Sequence, residues 1–324
     1  EPLPTAEAIL EARRSHPGKP VVASFIGGEA VAQAAQRLTE GGVPCFAFPE
    51  PAVSALASLV DYAERARKEW NGQKPDLAVN RAAVEQILAE VRREKRRLLL
   101  GSEAARVVEA YGVPVAPSVL ARSPQEAARA AQELGFPVVL KLAAPQVQHK
   151  TDLGGVRLNL RTPEEVEQQY EEMVHQFQRR SPAVEVYGVE IQPLLPPGRE
   201  LIVGMVRDHQ FGPMLMFGLG GIYVNLFRDV SFRAVHGLTK QEIETMIRET
   251  KAFLLLRGAR GEPPADLPAV VDVLSRVARL VSDFPELMEL DINPLFAYEK
   301  GVAAVDVKIT WREVRKRAKP GDNQ

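Results

Sequence analysis

The sequence predicts an α/β chain in two unlike parts: the end of a doubly wound parallel domain, then an α+β domain. Three observations predict it. Strands and helices alternate over residues 1–75, the mark of parallel pairing. A charged helical linker follows over 76–98. Beyond it, over 99–324, capped helices mix with strands whose spacing implies antiparallel pairs.

The elements follow in order. Thr5–Ser15 reads as a helix. Pro20–Ile26 is an apolar strand ending at Gly27-Gly28. Glu29–Glu40 is helical, with Val31, Ala34, Ala35 and Leu38 on one face and Gly41-Gly42 closing it. Val43–Phe48 is a second strand, and Pro49 opens a helix that runs to about Trp70. Two parallel strands cannot bury both faces, so this part is expected to be the last piece of a larger domain. Arg81–Arg97 is a charged helix whose basic end, Arg92 to Arg97, reads as a solvated face. Ser102–Tyr111 is helical and closed by Gly112; Ser118–Leu120 is extended. Ser123-Pro124 caps a helix to Leu134. Pro137–Leu142 and Val156–Leu160 are strands, and Thr162 with Glu165 predicts a capping box. Gly188–Gln192, Glu200–Val206 and Met214–Phe217 are strands. Thr239 and Glu242 predict a second capping box on a helix toward Arg257. Pro268–Asp283 is helical, and Leu287–Ile292 and Val302–Ile309 are the last strands.

Composition narrows the function. The chain has 324 residues, 45% of them hydrophobic and 26% charged, a globular profile. A net charge of -1 argues against a nucleic-acid surface. One cysteine, Cys45, leaves no intrachain disulfide and fits a reducing, cytoplasmic location. No apolar run approaches the roughly 18 residues needed to span a bilayer, so no membrane partner is expected. The chain begins at Glu1 rather than Met, which suggests a fragment or a processed product.

One stretch gathers chemistry. Gln148-His149-Lys150-Thr151-Asp152-Leu153-Gly154-Gly155-Val156 lies between the Lys141 strand and the Val156 strand. It places an imidazole, an ammonium group, a carboxylate and a glycine pair on a loop held by a sheet. A histidine there serves as base, metal ligand or phosphate carrier. Taken residue by residue, a solvated basic hairpin is the alternative. A second constellation is oxygen-rich. Asn293 and Asp306 flank the turn Glu299-Lys300-Gly301. A hairpin centred between Glu299 and Lys300 puts those two side chains directly opposite on one face. Oxygen ligands from adjacent strands suit Mg²⁺, which completes its shell with water and phosphate. Asp291 shares that face as a possible third ligand.

Four ordered motifs carry a resemblance: Pro137-Val138-Val139-Leu140-Lys141, the His149–Val156 loop, Phe217-Gly218-Leu219-Gly220-Gly221, and Glu289-Leu290-Asp291-Ile292-Asn293-Pro294-Leu295. Together the chain resembles the NDP-forming (ADP-forming) acyl-CoA synthetases of the succinyl-CoA synthetase superfamily. The resemblance implies that 1–75 is the C-terminal part of a flavodoxin-like CoA-ligase domain. It implies that 99–324 is an ATP-grasp domain of two subdomains. It also implies the reaction acid + ATP + CoA to acyl-CoA + ADP + phosphate, run reversibly through phosphohistidines. His149 would then be a transient phosphate carrier and Lys150 would offset phosphoryl charge. Lys141 resembles the lysine that contacts ATP phosphates. Glu190-Ile191-Gln192 resembles the strand that meets adenine, and Glu200 matches an acidic position serving nucleotide or loop. Gly218, Gly220 and Gly221 would permit close backbone approach to the nucleotide. Asn293 and Asp306 would hold Mg²⁺ with ATP or ADP. Phosphate, an acyl-CoA reached through missing domains, an upstream CoA-binding chain or segment and an oligomeric state complete the implied partners.

Some positions depart from the family pattern. Ala105 stands where a lysine is usual, Asn225 where an acidic residue is usual, and Ala234–Leu238 replaces an Ala-Pro-Leu. A catalytically degenerate nucleotide-binding module, regulatory or structural, is therefore the second reading. A carboxylate–amine ligase is a third, and it leaves the His149 loop without a use.

Overall fold

The computed structural model describes residues 1–67, 77–144, 154–221, 229–258 and 261–312. The chain divides into two compact units, Glu1–Asn71 and Gly72–Gln324. The first contains α1 (Pro2–Ser15), β1 (Ala23–Ser24), α2 (Glu29–Glu40), β2 (Cys45–Phe46) and α3 (Pro49–Arg67). β1 and β2 pair in parallel, Ala23 with Cys45 and Ser24 with Phe46. Both strands are shorter than the apolar runs suggest. A parallel pair without neighbours has one ladder to hold it, so little beyond the pairing register stays regular. Ala6, Leu10, Ala23, Ala34, Leu38 and Val43 form its core. Ile26, Phe48, Val53, Leu59, Val60 and Tyr62 are 49–70% exposed.

The second unit contains α4 (Arg81–Arg93), α5 (Gly101–Glu109), β3 (Val119–Ala121), α6 (Pro124–Leu134), β4 (Val138–Ala143), β5 (Val156–Leu160), α7 (Pro163–Arg180) and β6 (Gly188–Pro193). It continues with β7 (Arg199–Asp208), β8 (Gly212–Leu219), β9 (Val230–Ala234), α8 (Lys240–Arg248), α9 (Ala252–Leu256), α10 (Leu267–Asp283), β10 (Leu287–Ala297), β11 (Val302–Ala304) and β12 (Val307–Trp311). A four-stranded sheet runs β3-β6-β4-β5, every pair antiparallel. A six-stranded sheet runs β11-β10-β7-β8-β9, with β12 beside the first half of β10. Among the described residues no helix is long and apolar enough to cross a membrane.

Each sheet packs one face into a helix-covered core. Val138, Leu140 and Leu142 of β4 point into a core with Val166, Tyr170, Met173 and Phe177 of α7. By strand alternation, Val139, Lys141 and Ala143 point the other way. In the larger sheet Leu201, Val203, Leu215, Phe217, Leu290 and Ile292 pack on Val270, Leu274 and Val277 of α10. Their alternates, Ile202, Gly204, Met216, Asp291 and Asn293, lie on the opposite face.

Several local details differ from the sequence expectations. Thr239 and Glu242 form a reciprocal capping box on α8. At Thr162 only half of one forms: the hydroxyl accepts from the Glu165 amide, while the Glu165 carboxylate takes the Arg161 amide instead. The helix expected from Thr239 to Arg257 breaks into α8 and α9. The buried Thr250 hydroxyl donates to the Ile247 carbonyl at 2.8 Å, and Asp229 caps the Ala252 amide at 3.1 Å; such side chains compete with the helical ladder. β9 was unanticipated, because Ser231 and Arg233 on its covered side bond Glu249 rather than filling a core.

One face of the stretch read as a linker packs into the core. Val84, Ile87, Leu88 and Val91 of α4 are at most 3% exposed and join the larger apolar cluster. The helix stops at Arg93, and Lys95 turns the chain with a φ of 55°. Arg96 is not on a solvated face. Its guanidinium grips both Glu103 oxygens at 2.7 and 2.8 Å and Glu94 at 2.7 Å, and these carboxylates raise its pKa. At the far end of α5, Tyr111 is fully buried and donates to Asp283 at 2.9 Å. Burial, then this bond, raise the Tyr111 pKa. Tyr111→Phe keeps the ring but loses that bond. Asp283 retains Arg279 at 2.7 Å, so the expected loss is about 1 kcal/mol of unfolding free energy, read by urea titration.

Candidate functional site

Two faces bring the site residues together. On the face of the small sheet away from α7, Lys141 of β4 lies directly opposite Glu190 of β6, and Val139 opposite Gln192. On the face of the large sheet away from α10, β10 pairs with β11 and β12 about one continuous hairpin. Ala297↔Val302, Leu295↔Ala304 and Ile292↔Val307 all centre it between Glu299 and Lys300. Asn293 therefore stands opposite Asp306, and its amide donates to the Asp306 carbonyl at 3.1 Å. Lys141 joins the two faces: its Nζ donates to the carbonyl of Val305 at 3.1 Å, one residue from Asp306.

The glycine turn completes the site. The Gly221 amide donates to Asn293 Oδ1 at 2.9 Å. Gly221 has a φ of 63°, and any side chain there would collide with the Glu200 carboxylate. At Gly218 and Gly220, where a close approach of nucleotide is expected, the chain's own backbone is also close. A Cβ at Gly218 would meet the Asp229 carbonyl, and one at Gly220 the Leu201 backbone. Their smallness packs the chain against its own strands.

The electrostatics centre on Asp291. It pairs with Gly204 on one side and Lys308 on the other. Its Oδ1 is buried without a hydrogen-bond partner. Burial, with the Asp306 charge adding and Lys308 opposing, pushes its pKa up to about 6. An orphaned carboxylate oxygen beside a second carboxylate and an asparagine oxygen is a donor set that suits a hard cation.

Other expected residues fall differently. Glu190 is 2% exposed, and its Oε1 accepts the Ser102 amide at 2.7 Å. Its carboxylate thus caps the start of α5. Gln192 is buried at 7% exposure and Glu200 is exposed. Ala105 packs on α5 at 9% exposure. His149, Lys150 and Asn225 lie outside the described residues. Sequence reasoning missed the part played by Val305, whose contribution is a backbone carbonyl and leaves no side-chain signal.

Comparison with known proteins places the chain in a family. An ATP-grasp domain model matches residues 90–311. Acetate–CoA ligase (ADP-forming) I of Archaeoglobus fulgidus is 42% identical over 311 residues, covering 96% of this chain and 45% of that protein. This chain therefore spans just under half the length of that relative. The beta subunit of acetate–CoA ligase (ADP-forming) I of Pyrococcus furiosus is 42% identical over 231 residues, covering 71% of this chain and 99% of the subunit. The dinucleotide-forming acetyl-coenzyme A synthetase 1 of Ca. Korarchaeum cryptofilum matches with a TM-score of 0.62 and 44% identity, over 71% of this chain and 100% of that one. It was solved with coenzyme A and Mg-AMPPCP, its phosphohistidine segment pointing towards the nucleotide-binding site. By its domain match and its likeness to a whole beta subunit, this chain belongs to the ATP-grasp family, among the ADP-forming acetate–CoA ligases.

Proposed function

We propose that this chain is the ATP-grasp portion of an ADP-forming acyl-CoA synthetase. The overall reaction is acid + ATP + CoA to acyl-CoA + ADP + phosphate, reversible. The observation that carries the reading is Lys141 reaching Val305 beside Asp306 and Asn293, which gathers a cation, a carboxylate and an amide oxygen from two sheets. Residues 99–324 act as the ATP-grasp domain. Residues 1–75 act as the end of a CoA-ligase domain whose remainder lies in an upstream segment or partner chain. The separate beta subunit of the Pyrococcus furiosus enzyme supports such a division.

Each residue then has a task. Lys141 pairs with nucleotide phosphate and gives up the Val305 carbonyl to do so. Asn293 and Asp306 hold Mg²⁺, and Asp291 adds charge behind them. Bound Mg²⁺ neutralises phosphate charge. The Gly221 amide fixes the direction of Asn293 Oδ1. The Glu200 carboxylate and the β6 backbone at Glu190–Gln192 line the nucleoside side. His149 takes the γ-phosphoryl group on an imidazole nitrogen, breaking the γ-phosphorus–oxygen bond and leaving ADP; Lys150 offsets the negative charge. Acid and CoA are handled by the upstream domains.

The test is reconstitution. The chain, combined with a CoA-binding partner co-purified from the source cell, is expected to make ATP from acetyl-CoA, ADP and phosphate. Each component alone is expected to make none. The degenerate-module reading draws on the apolar Ala105. It is favoured if no acyl-CoA yields ATP although Mg-ATP binds by calorimetry.

A further inference from the structure

The face of the large sheet that carries Asp291, Asn293 and Asp306 also carries an ammonium group, Lys308 of β12. Lys308 lies directly opposite Asp291 in the β10–β12 ladder. Asp306 precedes it on the same side of the chain, because alternate residues of a strand share a face. The residues between and after them, Val307 and Ile309, are 5% and 0% exposed and belong to the core on the other face. Lys308 itself is half-buried.

The protein makes little use of this charge. Asp291 feels it, yet Asp291 Oδ1 stays buried without a hydrogen-bond partner. Among the described residues Lys308 Nζ has no hydrogen-bond or ion-pair partner either. A partly desolvated charge without a partner is a cost to the fold that a bound anion removes. Its place along the sheet says which part of an anion it meets. Glu200 lies opposite Phe296 of β10. Asn293 sits nearer the start of that strand, and Asp291 with Lys308 nearer still. At ~3.4 Å per residue, the Lys308 row is about 7 Å beyond the Asn293 row, on the side away from Glu200. Lys141 arrives at the Asn293–Asp306 row, through the Val305 carbonyl. A nucleotide with its nucleoside at Glu200 therefore has its inner phosphates at Lys141 and the Mg²⁺ ligands, and its terminal group toward Lys308.

We propose that Lys308 is a further catalytic residue, which binds the terminal phosphoryl group of ATP and stays on its oxygens during transfer. The proposal rests on the nucleotide reading of Lys141, Asn293 and Asp306. In the transfer the γ-phosphorus–oxygen bond to ADP breaks and a phosphorus–nitrogen bond to the acceptor imidazole forms. Lys308 keeps its protons and contributes charge alone. ADP has no group at that position, so Lys308 favours ATP over ADP.

Calorimetry of the full chain with Mg-ATP and with Mg-ADP tests this. Lys308→Met is expected to weaken Mg-ATP about tenfold or more, the worth of one charge-assisted bond. Mg-ADP affinity and the urea midpoint are expected to stay unchanged. Lys308→Arg keeps a cation and is expected to recover most of the loss. At saturating Mg-ATP, radiolabel transfer is expected to be about 100-fold slower in Lys308→Met than in wild type, the cost of losing one donor to the charge that develops in transfer. If Lys308→Met fails to fold by circular dichroism, Lys308→Gln is read in its place. Mg-ATP and Mg-ADP weakened alike, or a lowered urea midpoint with both affinities kept, assigns Lys308 to Asp291 as a structural counter-charge and overturns the proposal. Unchanged Mg-ATP affinity in the folded variant overturns it as well, while wild-type binding leaves the nucleotide reading standing. Wild type that binds neither nucleotide refutes that reading itself, and the Lys308 assignment with it.

Discussion

Incubated with ATP and Mg²⁺, the wild-type chain is expected to acquire an acid-labile, base-stable phosphoryl group, and His149→Ala to lose it entirely. A neutral imidazole is nucleophilic near pH 7 without an activating base, and its phosphoramidate hydrolyses in acid. Serine and threonine esters show the opposite lability, so the chemistry of the label identifies the carrier. Nucleotide affinity should change little in the variant, because the groups proposed to bind phosphate, Lys141, Asn293 and Asp306, are untouched. The measurement pairs radiolabel retention at acid and alkaline pH with calorimetry of Mg-ATP. Label that persists in His149→Ala removes the carrier role. Absence of label in wild type, with ATP still bound, favours the module reading, in which Ala105 and Asn225 mark lost phosphoryl transfer.

What the sequence made readable was local and periodic. The turn at Glu299-Lys300-Gly301 sets the hairpin centre, and counting in twos from it carries to Asn293 and Asp306, which stand opposite each other as expected. The Thr239 cap of α8 and the Ser123 cap of α6 follow from residue type beside an apolar period. What stayed hidden depends on contacts distant in sequence. Glu190 reads as a polar residue on an apolar strand until Ser102, 88 residues earlier, is seen to need an acceptor. Gly218 and Gly220 read as a nucleotide loop, and no residue type signals that Asp229 and Leu201 also press against them. Arg96 reads as one of a basic run until Glu103 and Tyr187 surround it. The Lys141 bond to Val305 is made to a backbone acceptor, which residue types do not encode.

Asp306→Ala is expected to abolish Mg²⁺-dependent nucleotide binding while leaving the fold nearly unchanged. The residue is exposed, and its backbone, not its carboxylate, holds the hairpin through the Asn293 amide. Removal of its side chain should therefore cost less than about 0.5 kcal/mol of unfolding free energy, as surface changes usually do. The functional cost is of another order. Loss of supporting groups around a metal alone weakens binding about 10- to 100-fold, and loss of a direct ligand should exceed that. Asp306→Asn retains one oxygen donor and should fall between wild type and alanine. Titration of ATP with and without Mg²⁺, alongside urea unfolding, separates the two effects. Unchanged Mg-ATP affinity in Asp306→Ala, with the fold intact, would sink the metal assignment. A variant that also loses its urea midpoint would instead assign Asp306 to the hairpin. Removing Asp306 also relieves the charge that helps raise the Asp291 pKa. The Asp291 carboxyl should then titrate lower in the variant than in wild type, which carbon-detected NMR of that side chain can follow.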